Sequence, residues 1–199
     1  MYDFDAGDLS LNFANTQDWH ASEKPVENLK SYADLVTWGE QAGLVSPEYA
    51  IQMHRLANEH PEDATNAFAF AVQVREDLYR VFSHRYTGEP IREDDLALLN
   101  SVVSQARAHM QLTPADGEIH WEWTPEINGA NLILWPVARA AADLLTSDKA
   151  SKVRVCEDDR GCGYLFIDQT KNHSRRWCSM DSCGNRAKAR RHYSRLQAD

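Results

Sequence analysis

All four cysteines of this 199-residue chain lie at or beyond position 156. That placement excludes a disulfide framework spanning the whole chain, because the first three quarters contain no thiol to join. The spacing is Cys156-x5-Cys162-x15-Cys178-x4-Cys183, two close pairs separated by an insert long enough for a hairpin. Clustered thiols in a chain with the character of a cytosolic protein point to metal before disulfide. Zinc takes four thiolates in a tetrahedron, and two short-range pairs brought together by one turn of chain supply them. The expectation is one structural Zn2+ per chain on Cys156, Cys162, Cys178 and Cys183. The competing reading is four unligated thiols in a small tail.

The charge divides at the same point. Residues 1–150 hold ten Lys/Arg against twenty-four Asp/Glu, or −14, and residues 151–199 hold eleven against six, or +5. Such asymmetry implies two parts with different partners, 1–150 and 151–199, meeting near Ser147 to Lys152. With 43% hydrophobic residues there is ample material for a conventional core. No stretch approaches the roughly 18 to 20 apolar residues of a membrane span. The first twenty residues, which hold four acids and no Lys or Arg, do not resemble a secretory signal. A cytoplasmic protein with no membrane partner follows.

The fold class is mainly α. Helices are expected from Ser31 to Gly43, from an N-cap at Ser46 with Pro47 in the first turn, from Ala64 to Arg85, from Glu93 to His109, and from Ala130 to Thr146. Asp116-Gly117, with Ile119, Trp121 and Trp123 alternating against His120 and Glu122, predicts a β-hairpin within Gln111 to Thr124. The opening run from Leu9 to Thr16 reads as strand or short helix, and helix is preferred. In the C-terminal part Gly163 permits a tight knuckle turn, Tyr164 to Ile167 reads as a strand, and Arg175 to Trp177 as its returning partner. A basic helix follows Cys183, with Ala189, Tyr193 and Leu196 on one side and cations around the rest. About 45 residues is too little to fold alone, so the metal acts as a staple.

Arg175, Arg176, Asn185, Arg186, Lys188, Arg190, Arg191 and Arg195 are the candidate nucleic-acid ligands, because a broad basic arc suits phosphates. Two alternatives stand beside this: an ordinary solvated charged face, and for Arg186 a brace on the zinc knuckle. In the N-terminal part Arg75 falls in the middle of an apolar stripe made by Phe68, Val72, Tyr79 and Phe82. A guanidinium there is either a structural ion pair or an anion-binding group in a ligand site with Asn12, Asn15 and Thr16, and the structural pair is the preferred reading. The chain has no Gly-rich phosphate loop, nucleophile elbow or HExxH, so an enzyme lacks positive support.

The runs Cys162 to Asp168, Ser174 to Met180 and Cys183-Gly-Asn-Arg186 resemble the CGNR zinc-finger family over about Arg154 to Arg195. The five residues between Cys156 and Cys162 are one more than the commoner family spacing. Leu11-Asn-Phe-Ala-Asn-Thr16 is similar to the opening motif of the helical ABATE domain that precedes such fingers. The resemblance implies a treble-clef-like module of hairpin plus basic helix, and a bacterial DNA-binding transcription regulator. A small-molecule effector and a homodimer both fit that reading. Its competitors are a zinc-containing adaptor for protein or RNA, and an enzyme or ligand-binding protein with a pocket around Arg75.

Overall fold

Asp8 settles the ambiguity of the opening run. Its carboxylate accepts from Ser10 N at 2.8 Å and caps helix α1, Leu9–Ala14. Leu11, Phe13, Ala14 and Ser10 are fully buried, and Asn12 is nearly so. A helix covered on all sides shows no clean amphipathic period, which is why its pattern also fits a strand. The computed structural model describes residues 2–124 and 129–196, except for the side chains of 192, 195 and 196.

After α1 a two-residue ladder pairs β1, Gln17–Asp18, with β2, Val26–Glu27. Helix α2, Tyr32–Gln41, is capped by Ser31, and α3, Pro47–Glu59, by Ser46 with Pro47 in its first turn, as expected. The long α4, Pro61–Thr87, begins earlier than its apolar period suggests and stops at Gly88, whose φ of 79° lets it close the helix in the left-handed conformation. Helix α5 is Glu93–Ala108. Strands β3, Met110–Ala115, and β4, Glu118–Trp123, form the expected hairpin, with Asp116 and Gly117 both at positive φ in its turn. Leu112, Ile119 and Trp121, on the same side of the hairpin as Trp123, are exposed. Helix α6 is Asn131–Leu145.

Helices α1, α4 and α6 form the centre, with α5 against α4 and α6. Leu11, Phe13, Trp38, Val74, Leu78, Phe82, Ile133 and Val137 are its buried side chains. Ser147 then caps a 3₁₀ turn, Asp148–Lys152, and the chain returns to the same core as β5, Val153–Val155, and β6, Leu165–Ile167. Val153, Leu165 and Ile167 belong to the helical core, each adding about 1.5–3 kcal/mol of apolar burial. Strand β6 therefore pairs with β5, upstream of Cys156, and not with Arg175 to Trp177 as the sequence suggests. Arg175 to Trp177 is irregular chain, because Asp168 holds the Arg175 amide and leaves it no strand partner. A π-helical turn, Met180–Gly184, leads into α7, Asn185–Leu196. Among the described residues no helix is long and apolar enough to cross a membrane.

Candidate metal centre and its basic helix

Two elements bring the thiols together. The connection between β5 and β6 carries Cys156 and Cys162, and the loop after Asp168 returns with Cys178 and Cys183. At the first knuckle Gly163 has φ 67°, and a Cβ there would lie 2.5 Å from the Tyr79 hydroxyl and 2.8 Å from Ala21 N. Only glycine fits. Tyr79 Oη, on α4, donates to Gly163 O at 2.9 Å, so the helical core positions the knuckle directly. Asp168, wholly buried, accepts from Thr170 N, Thr170 Oγ1 and Arg175 N at 2.7 to 2.9 Å and sets the returning loop.

The four Sγ atoms lie within 4.8 Å of one another, with Cys162 to Cys178 at 3.8 Å and Cys178 to Cys183 at 3.6 Å. A tetrahedron of zinc–sulfur bonds of about 2.3 Å places its sulfurs about 3.8 Å apart, so the donor set fits zinc. Bonds from Cys162 and Cys178 hold the Cys156 thiol far below its ordinary value, while the same bonds, with burial, push Cys162 and Cys178 up. The thiols thus resist shedding all their protons together, and a dication supplies the compensating charge. When bound there, zinc cross-links the two loops and contributes folding free energy. Phe166 packs against this cluster together with Trp177.

The geometry sorts the cations of the module. Arg186 Nη2 donates to Cys183 Sγ at 3.1 Å, and Arg186 Nε lies 3.7 Å from Asp158. Arg190 also reaches Asp158, at 3.4 Å, and pairs with Asp159. The Asp158 side chain is completely covered, and its bidentate bond with Arg160 holds its carboxyl far below the usual range. Arg175 lies 4.4 Å from the Phe166 ring centre and donates to the carbonyls of Trp177 and Cys178, bracing the second ligand loop. Arg176 pairs with Glu157 at 2.6 Å and covers one face of Trp177. Asn185, Lys188 and Arg191 are exposed on α7, and Arg195 lies outside the described side chains. Of the stripe read from the sequence, Ala189 and Tyr193 are exposed and the Leu196 side chain lies outside the described ones, whereas the Arg186 and Arg190 side of the helix faces the knuckle. Asp158 is the reason, since a buried carboxylate draws the two guanidinium groups inward.

A family model called ABATE, described as "putative stress-induced transcription regulator", matches residues 7–148. A CGNR zinc-finger model matches residues 152–196. The chain belongs to the ABATE family. No curated protein matches it.

Within the ABATE domain Arg75 is 1% exposed and held by Glu27 through two bonds of 2.6 Å, by Glu76 at 2.9 Å and by Thr16 Oγ1 at 3.5 Å. Burial opposes its charge, and the two carboxylates outweigh that, leaving the guanidinium above its ordinary value. Its donors are taken up by protein groups. Asn12, Asn15 and Thr16 line a cleft that Arg75 does not. Asn15 spans 150 residues to bond both polar groups of Leu165, Nδ2 to O at 2.8 Å and Oδ1 from N at 2.9 Å. Three acids central to these arrangements, Glu27, Asp158 and Asp168, were absent from the sequence-derived site. Asp168-x-Thr170 was legible as a side-chain turn and Asp158-x-Arg160 as a local pair. Glu27, which is 48 residues from Arg75, carried no local signal.

Proposed function

We propose that this chain is a DNA-binding transcription regulator, a binding protein and not a catalyst, whose CGNR finger contacts phosphates through the outer face of α7. The observation that carries the reading is the sorting of cations by Asp158. Arg186 and Arg190 turn to the buried carboxylate, while Lys188 and Arg191 remain exposed with no acid paired to either among the described residues. Helix α7 contains no Asp or Glu to offset them. The description of the ABATE family as a putative stress-induced transcription regulator supports the regulatory half. The acidic balance of residues 1–150 supports a division of labour in which the finger meets the nucleic acid and the ABATE domain responds to a small effector.

The test is fluorescence anisotropy of the zinc-loaded full chain on a labelled duplex pool enriched from random DNA, repeated over a salt series. Replacing Lys188 and Arg191 together with Ala is expected to lessen the log-log salt slope by about 1.8, two phosphates at about 0.9 each. An unchanged slope in a folded, zinc-loaded variant would remove these residues from the interface. No salt-dependent binding to any duplex would reject the reading.

A further inference from the structure

The ABATE domain contains a cleft of about 500 Å³, within the range of sites that take a small organic molecule. Asn12, Asn15 and Thr16 line it at 8%, 8% and 2% exposure, together with Asp3, Asp18 and Asp34. None of its lining residues is Lys or Arg. Asn12 uses Oδ1 to accept from Ala6 N at 3.0 Å, and its Nδ2 has no acceptor among the described residues. Asn12 as a whole is nine-tenths buried, but this donor stays open to the cleft, where an accepting group of a ligand can take the place of water. Asp18 is held through Oδ2 by Asn28, and Asp34 through Oδ2 by Lys30 N and Ser31 Oγ, which leaves the other oxygen of each open. The Tyr2 phenol, also in the lining, is pushed up to about 12 by burial first and then by the carboxylates of Asp34 and Glu27.

We propose that this cleft binds a small organic cation that also carries an accepting oxygen, such as an amino sugar or amino alcohol. Its ammonium pairs with Asp18 and Asp34, and its oxygen takes the Asn12 amide. The less favoured sequence reading of Arg75, an anion-binding group, does not apply to this cleft, because Glu27 and Glu76 neutralise that guanidinium and the carboxylates of the cleft set the opposite sign. The inference rests on the effector part of the proposed function for its consequence, not for the binding itself. Two bonded paths leave the cleft for the finger. Asn15 bonds Leu165 directly, and Asn12 holds Ala6, whose carbonyl accepts from Ile167 N at 2.9 Å. Both end on β6, three and five residues beyond the zinc ligand Cys162. A ligand that fixes Asn12 and Asn15 therefore stiffens the strand that carries the first knuckle.

The experiment titrates the zinc-loaded full chain calorimetrically with glucosamine, kanamycin and ethanolamine, each against its N-acetylated neutral counterpart. At least one amine is expected to bind, with its acetylated form at least about tenfold weaker. Asp18→Asn and Asp34→Asn should each weaken that amine by a similar factor without loss of folding. Binding by none of the amines, equal binding of the acetylated forms, or full affinity in both variants would overturn the proposal. So would a response to Mg2+ in place of the amines. Hydrogen exchange at the Leu165 and Ile167 amides separates the consequence from the site. Slower exchange on binding supports effector sensing, whereas binding with unchanged exchange keeps the cation site and rejects the sensing reading.

Discussion

The two halves of the finger are held by different physics. Strands β5 and β6 place Val153, Leu165 and Ile167 in the helical core and tie Leu165 to Asn15. Among the described residues of the returning loop and α7, Trp177 is half-buried against the sulfur cluster, and Ala189 and Tyr193 are exposed. The loop and α7 are held by Asp168, by Arg175 and Arg186, and by the sulfur cluster. The first half belongs thermodynamically to the ABATE domain, whereas the second depends on metal. The contrast teaches that a zinc module of this size gains stability from its neighbour on one side only, and that the free side is the one bearing the exposed bases.

The largest expected effect comes from removing the metal. In Cys178→Ser, zinc per chain should fall from one to none by elemental analysis, and amide protection from about 174 to 196 should drop by two orders of magnitude or more. The β6 amides and the helices α1 to α6 should keep theirs. Equal loss across β6 would show that the metal holds both halves and would erase the contrast.

Core truncation sharpens it from the other side. Leu165→Ala should destabilise the ABATE helices by about 2–5 kcal/mol in urea, although the residue lies within the finger match. A helical transition unmoved by that change would mean the strand is only appended to the domain. A smaller effect is expected at Arg186, whose bond to Cys183 is partly exposed: Arg186→Ala should cost about 1 kcal/mol and hasten zinc release to a chelator. Arg186→Lys should restore little, since a lysine lacks the second nitrogen that reaches toward Asp158. If zinc release were unchanged while DNA sequence preference relaxed, Arg186 would be a base-reading residue instead.

The sequence by itself determined the four ligands, the helices after the opening run and the β3–β4 hairpin. These rest on local chemistry: cysteine spacing, Ser31 and Ser46 as caps, Pro47 in a first turn, and Asp116-Gly117 with the backbone freedom of a tight turn. It also marked Arg75 as a charge in an apolar stripe, and a structural pair was the preferred reading. What only the tertiary structure decided are the partners that lie far apart along the chain. β6 pairs with β5 because the core behind them rewards burying Val153, Leu165 and Ile167, a choice invisible to a pattern read over a few residues. Arg186 and Arg190 turn inward because Asp158, 28 and 32 residues earlier, is buried beneath them, and Glu27 meets Arg75 across 48 residues. Periodicity reports which residues share a face, but the sign of the field that face meets is a sum over groups that only folding brings together.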